Sequence, residues 1–578
     1  MSDEYSTIDR RRFLATSGLL GGTLLAGCSG SNTDEQATTT TAGDTDDTGG
    51  STTGDQSDGG TTDQSEAPLG GTFIDSTAED APTLDPRMNE LAWVNSFLPY
   101  VFDTLYVMSP DGSEFVPHLA ADQPQQEDET TFVIPIRDDV TFHDGEDLTA
   151  EDVAYTINWI LEPDNASPNR ANLDFIDEVE ATGDYEVTFN LSYPFALFQL
   201  NLTDMNAPVV PKHIAEEQGP EAFGENPIGS GPFQFESQES SSHVELTRYD
   251  DYFLQQPNLD AVRMRIIPEA QVQFVELASG GVHEANVPKD LLGRARSEDG
   301  IEMSRVPEFD YNGLLFNTMR EPFDDVQVRE AMQYLVDYDE ILNATAGDLG
   351  ERNYGFMPQE VNESWDFPWE EWRDEFYPEQ DYEQAQSLLD DAGYGDGYGE
   401  TITISSLASS KFKNMAIVLQ DELSEIGWDA EVREVTTGQW LDQLDTGDFD
   451  VNIYGWSGGQ DPDGFFYYLF RDLRNDEGGL DDGVAGNASA SFLYQSEDSE
   501  ELQRIDEQIR EARQVIDQDE RREIYIDIAE SLQGMYPHIP AFSEAGAVAW
   551  STSVQDYEPS AFEAQPLCNQ WSNSYIEE

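Results

Sequence analysis

Residues 449–465 read FDVNIYGWSGGQDPDGF. Val451, Ile453 and Tyr454 follow Gly447 and are apolar and β-prone, which predicts a strand. The chain then breaks into Gly455-Trp456-Ser457-Gly458-Gly459 and ends on Asp461-Pro462-Asp463-Gly464. In open α/β sheets, ligands collect outside the carboxyl ends of strands. A buried strand opening into a glycine-rich loop with one Trp and two Asp therefore predicts the floor of a binding cleft.

The segments on either side alternate helix and strand. Ala385, Leu388, Leu389 and Ala392 share one helical face, and Gly393 stops that helix. Residues 401–405 read as a strand, 415–426 as a helix stopped by Gly427, 430–435 as a strand and 440–444 as a short helix. Beyond the loop, Leu502, Ile505, Ile509, Ala512 and Ile516 make one helical stripe, and Tyr525, Ile528, Ala529 and Leu532 another. The pattern predicts an α/β class with short connections.

Upstream, residues 71–74 and 131–137 read as strands and 95–106 as a helix. Phe142-His143-Asp144-Gly145 is a tight turn. Thr149-Ala150-Glu151-Asp152 reads as a capping box ahead of a helix with Val153, Ile157 and Ile160 on one face. Residues 185–191 alternate as a strand, 227–233 (PIGSGPF) form a glycine-proline knot, and 311–317 (YNGLLFN) read as a buried strand. Asp325 caps a helix carrying Val328, Ala331, Met332, Leu335 and Val336.

The N-terminus reads as an address. Arg10-Arg11-Arg12-Phe13-Leu14 resembles a twin-arginine export signal, with Asp9 where Ser or Thr is usual. The apolar run 13–26 is too short to span a bilayer. It ends in Leu25-Ala26-Gly27-Cys28, which resembles a lipobox, so Cys28 is the expected lipidation site. Residues 29–67 are Thr, Gly, Asp and Ser with few apolar side chains, the composition of a disordered tether.

The chain has 578 residues and a net charge of −90, spread along its length. Only four of the 28 basic residues are lysines: Lys212, Lys289, Lys411 and Lys413. Self-repulsion on that scale opposes compaction in dilute buffer, whereas at 1 M salt the Debye length shrinks to about 3 Å. The acidity therefore reads as adaptation to a salt-rich environment, in preference to a patch that recruits cationic ligands. A basic stripe is absent, which argues against nucleic acid. Cys568 is the single thiol outside the address, so no internal disulfide is expected.

An ordered set of motifs then points to a family. It comprises 142–145 (FHDG) with 148–153 (LTAEDV), 227–233 (PIGSGPF), 322–329 (PFDDVQVR), and the run from Asp381 through Leu388-Leu389 to Ala392-Gly393-Tyr394. The chain resembles the solute-binding lipoproteins of ABC importers in the dipeptide, oligopeptide and nickel class, here of haloarchaeal type. The resemblance implies a two-lobed periplasmic-binding-protein-like α/β fold with a hinge and an extra small domain. It implies lobe I at 69–110, 229–316 and 541–578, a small domain at 111–228, and lobe II at 317–540. It implies a monomeric receptor, lipid-anchored at the cell surface, that hands peptides to a membrane permease without a cofactor and without chemistry. Asp461 matches the position at which peptide-binding members hold the ligand's α-ammonium. Trp456 is the expected wall and Asp463 a second candidate. Asp461→Asn is expected to weaken peptide binding and leave the fold intact. The same class also carries nickel chelates, nucleosides and oligosaccharides.

Other readings compete. Gly455-Trp456-Ser457-Gly458-Gly459 satisfies G-x-S-x-G, with His538 downstream, as in a serine hydrolase. An elbow needs a helix at once, and 460–464 reads as a poor helix start. The histidines 118, 143, 213, 243, 283 and 538 show no ligand-spaced pair, so no protein metal site is expected. Trp365, Phe367, Trp369, Trp372 and Phe376 read as lobe packing ahead of a cleft lining. A purely structural surface-layer protein is disfavoured by the α/β body and the cleft-type loop.

Overall fold

Alternate residues along the strands of the largest sheet point into two different cores. In Val451–Ser457, Val451 and Ile453 join one apolar cluster while Tyr454 and Trp456 join the other. In Asp310–Phe316, Leu314 and Phe316 go one way and Tyr311 and Leu315 the other. A sheet covered on both faces needs continuous apolar runs, which is what these two stretches supply. The computed structural model describes residues 69–577 apart from 90, 111, 113, 204, 473–487, 497–498, 558 and 560–566. The export signal, Cys28 and the tether expected at 29–67 lie outside the described residues.

The large sheet runs, in order, Glu284–Asn286, His538–Ser551, Asp310–Phe316, Val451–Ser457, Ile402–Leu407 and Ala430–Val435. Val451–Ser457 is antiparallel to Asp310–Phe316 and parallel to Ile402–Leu407. Helices Ser410–Glu425 and Thr437–Thr446 make the crossovers, the second with a capping box at Thr436 and Gln439.

A second sheet pairs Thr72–Thr77 in parallel with Ala261–Ile266, followed by His243–Arg248 and Phe233–Glu239. A third contains Thr131–Pro135, Glu186–Leu191 and Ile176–Gly183, with helix Ala150–Leu161 packed on it in one shared apolar core. Asp152 at that helix's start accepts from the Thr149 backbone N–H at 2.9 Å, as the capping box predicts.

The long strand His538–Ser551 serves four partners, two of them the short strands Glu284–Asn286 and Gly350–Arg352. Its residues 538–542 pair with Asp310–Phe316, and its residues 545–551 pair with Ile301–Pro307. The chain therefore crosses twice, near 307–310 and 542–545, between the part of the large sheet that holds Glu284–Asn286 and Ile301–Pro307 and the part that holds Asp310–Phe316. The strand Asp310–Phe316, at the end of the expected first lobe, is bonded on both sides within the large sheet.

Two local expectations fail. Residues 95–106 are not one helix: a short helix Ala92–Asn95 is followed by a 3-10 turn Leu98–Tyr100 and a strand Tyr106–Met108. Pro99 sits inside the turn, where it cannot supply the N–H that a continuing helix needs. The second concerns 460–464, described below.

The knot at 227–233 packs against the FHDG turn. His143 Nδ1 accepts from the Gly229 N–H at 3.3 Å, and its Nε2 lies 3.0 Å from the Gly231 carbonyl oxygen. A Cβ on Gly229 would lie 1.9 Å from the Val101 oxygen. Beside it, buried Asp103 accepts from Ser230 Oγ at 2.7 Å and Tyr252 Oη at 3.1 Å, and meets His118 Nε2 at 2.7 Å. Two of the family motifs are thus pieces of one junction between cores.

Candidate functional site

The loop leaves the sheet at Ser457. The Gly458 N–H donates to the Phe309 oxygen at 3.3 Å, and Gly459 turns the chain with φ +75°. That value lies in the left-handed region, which glycine enters without a Cβ penalty. Contrary to the sequence reading, a helix does start here, Asp463–Phe470. Asp461 makes it possible: its Oδ1 accepts from the Asp463 N–H at 2.9 Å and its carbonyl from the Gly464 N–H at 3.1 Å. Gly464 is packed so closely that a Cβ there would meet the Gly458 oxygen at 1.8 Å.

The two aspartates have different fates. Asp461 receives a fork of two bonds from Arg521, Nη2 to Oδ1 at 2.7 Å and Nη1 to Oδ2 at 2.9 Å. Arg521 comes from helix Gln518–Gln533, donates Nε to the Ala512 oxygen at 3.0 Å, and lies over the rings of Trp365 and Tyr525. Burial works against the guanidinium's charge, but Asp461 and Tyr525 together more than offset it and the Arg521 pKa moves up. Asp461 is thus neutralised within the protein.

Asp463 is only 1% exposed, and its Oδ1 has no hydrogen-bond partner. Oδ2 lies 3.8 Å from Nη1 of Arg513, beyond hydrogen-bond range. Burial pushes its carboxyl up to about 6, with Arg513 pulling down and Asp461 pushing up.

Both aspartates line a cavity of about 430 Å³, within the ordinary range for small-molecule sites. One wall is the loop from Gly458 to Gly464 with Tyr468 and Arg513. The opposite wall is Phe175, Phe195 and Leu200, and Asn95, Pro99 and Met205 complete it. Three polar atoms on its lining residues are buried and unpaired: Asp463 Oδ1, Gln460 Oε1 and Arg513 Nε. Such atoms are costly to leave unmade. The described acidic side chains in the lining are Asp174, Asp461 and Asp463, against the single base Arg513. With Arg521 cancelling Asp461, the cavity retains an excess of negative charge.

Trp456 is elsewhere. It is 6% exposed, its Nε1 donates to the Gly464 oxygen at 2.9 Å, and it packs in the core beside Tyr468. It fastens the loop from behind. Trp365, Phe367 and Trp372 are buried in that same core. Ser457 Oγ lies 3.4 Å from the Phe309 oxygen, whereas His538 Nδ1 is bonded to Tyr311 Oη at 3.1 Å. The serine and histidine of the hydrolase reading are therefore engaged with other groups.

Sequence reasoning missed Gln460, Tyr468, Arg513, Arg521 and the wall at 175–200. One signal existed for Arg521. It stands four residues before Tyr525 and so continues that helix's apolar stripe, an unusual place for a base. Arg513 follows the preceding stripe, and nothing local marks its target.

A sequence model of bacterial extracellular solute-binding proteins, family 5, matches residues 114–477. The chain belongs to that family. Among its family-5 relatives is the oligopeptide-binding protein AppA of Bacillus subtilis, 30% identical over 351 residues, or 57% of this chain and 63% of that protein. The match thus spans under two thirds of the Bacillus protein's length. A second is the dipeptide-binding protein of Escherichia coli, 26% identical over 392 residues, covering 63% of this chain and 72% of that one. Among solved family-5 structures, the periplasmic binding protein DppA from Helicobacter pylori in complex with peptide STSA superposes with a TM-score of 0.65 at 21% identity. It covers 88% of this chain and 99% of that one. At that identity the likeness is one of fold, and the fold is the lobed α/β architecture of the periplasmic binding proteins, as the motif set implied. These relatives carry the names of binding proteins.

Proposed function

We propose that this chain is the extracytoplasmic receptor of an ABC importer and that it captures short peptides. The carrying observation is the cavity between the 458–464 loop and the 175–200 wall, with Asp463 Oδ1 buried and unpaired in its lining. An ammonium group is the natural partner for such an oxygen, since a charge-assisted bond strengthens as water leaves. The relatives' names, oligopeptide-binding and dipeptide-binding, support a peptide as its bearer. Asp463, rather than Asp461, is the residue we assign to that ammonium, because Arg521 already occupies Asp461. Trp456 acts through the loop backbone.

The protein performs no chemistry on its cargo. Lobe I and lobe II divide at the crossings 307–310 and 542–545, which moves strand 310–316 out of the lobe I that the motifs suggested and into lobe II, and the small domain stays at 111–228. A ligand that touches both walls favours the closed state by its differential affinity, and a membrane permease reads that state. Lipid at Cys28 after twin-arginine export anchors a monomer, and the acidic composition suits a saline exterior. Among the described residues no helix is long and apolar enough to cross a membrane.

The test is mass spectrometry of small molecules released on denaturing the protein purified from its own high-salt host. A set of short peptides is the expected result. A single metal chelate, sugar or nucleoside keeps the receptor and overturns the cargo.

A further inference from the structure

Arg513 touches both walls of the cavity. It caps helix Glu500–Ala512, which packs within the core beneath the loop. Its carbonyl oxygen accepts from the Ala196 N–H at 2.9 Å, a residue of the opposite wall. Its guanidinium lies over the Phe195 ring at 4.9 Å on that wall and over Tyr467 at 3.7 Å on its own. Phe195 is 3% exposed and packs with Phe175 and Phe198 in the core of the third sheet. Arg513 thus makes a backbone bond and a ring stack across the cleft, and its charge lies 3.8 Å from Asp463 Oδ2.

We propose that Arg513 is a positioning residue that latches the two walls, coupling Asp463 to closure through its stack on Phe195. This rests on the two-lobed receptor reading. The two oxygens of Asp463 divide the work. Oδ2 faces Arg513, and Oδ1 is left to the cargo. A flat, delocalised guanidinium can stack on a ring and face a carboxylate at once, which an ammonium on a flexible stem does less well. Opening the cleft parts the guanidinium from Phe195 and the Arg513 carbonyl oxygen from the Ala196 N–H together, so the latch releases as a unit.

The experiment reads closure without cargo. Dyes attached at Glu180→Cys on the third sheet and Glu507→Cys on the helix before Arg513 report the separation of the walls by single-molecule energy transfer, in full chain kept at high salt. The wild type is expected to populate a closed state with no peptide present. Arg513→Ala is expected to lower that population about fivefold, Phe195→Ala to do the same, and the double variant to lose no more than either alone. Arg513→Lys is expected to recover part of the loss. An unchanged closed population in Arg513→Ala, or losses that multiply in the double variant, overturns the latch. If Arg513→Ala does not fold by circular dichroism, Arg513→Lys and Phe195→Leu carry the same comparison. The peptide reading fails separately, when trialanine and the native extract show no peptide binding while the ligand-free equilibrium still responds to Arg513.

Discussion

Two glycine-rich turns, 227–233 and 455–464, look alike as sequence and do opposite things. In the first, His143 spends both ring nitrogens on the backbone of Gly229 and Gly231, and Gly229 lies against the Val101 carbonyl. In the second, the loop closes on itself through Asp461 and Gly464 but leaves Gln460 Oε1 and Asp463 Oδ1 buried and unmatched. Glycine in the junction lets main chains touch. Glycine in the loop turns the chain so that polar groups stop short of one another. The lesson is that a functional turn is recognised by what it leaves unpaired, since a scaffold turn satisfies its groups at home.

That contrast can be broken by substitution. The largest effect is expected inside the loop itself. Asp461→Ala strips Arg521 of its counterion in a buried setting and should cost about 4 kcal/mol of stability, read by denaturant melts in high salt. A fully stable variant would show that Asp461 is free for ligand. The structure thus adds a cost to folding that the sequence did not predict for a change at this position.

Gly229→Ala should come next, at about 3 kcal/mol from overpacking against Val101, with the cavity and its ligand affinity unaltered in the fraction that folds. A stable protein would mean that the junction is looser than its 1.9 Å approach implies.

Asp463→Asn sharpens the comparison from the other side. It should weaken cationic-ligand binding at least tenfold, about 1.4 kcal/mol, while the melting temperature holds or rises. The sign follows from the raised carboxyl near 6. Stability linked to that proton is fully present below the ordinary value of 3.8 and is lost as pH rises through about 6. Ligand affinity runs the opposite way, falling as pH drops through 6 because the paired form is the carboxylate. Calorimetric titrations from pH 5 to 8 should show that step in the wild type and none in Asp463→Asn. A loss of stability together with affinity would make Asp463 scaffold.

The smallest effect is expected at Gly459→Ala. The site is open, with nothing within 4 Å of the added carbon, and only the φ of +75° resists. About 1 kcal/mol should be lost, with a modest fall in affinity as the loop shifts.

Much of the fold was legible. Apolar, β-prone runs announced the strands at 451–457 and 310–316, the second read as 311–317, and caps at Asp325 and Thr149 fixed helix starts within a residue. Helix 463–470 was not legible, because its start depends on the Asp461 side chain folding back onto the Asp463 N–H in place of a standard cap. The loop as the site floor was legible from composition. Which of its two aspartates is unpaired was not, since that turns on Arg521, sixty residues away along the chain.

The sequence alone determined the alternating α/β character, the glycine turns and the motif order that marks the family. These follow from local rules: side-chain period, backbone permissiveness and capping. Tertiary structure alone decided that Arg521 silences Asp461, that Arg513 reaches Phe195, and that residues 175–200 wall the cavity. The physical reason is that ion pairing and burial act across space. A carboxylate's role is set by the nearest charge and by the water it has lost, and neither is written in the residues beside it.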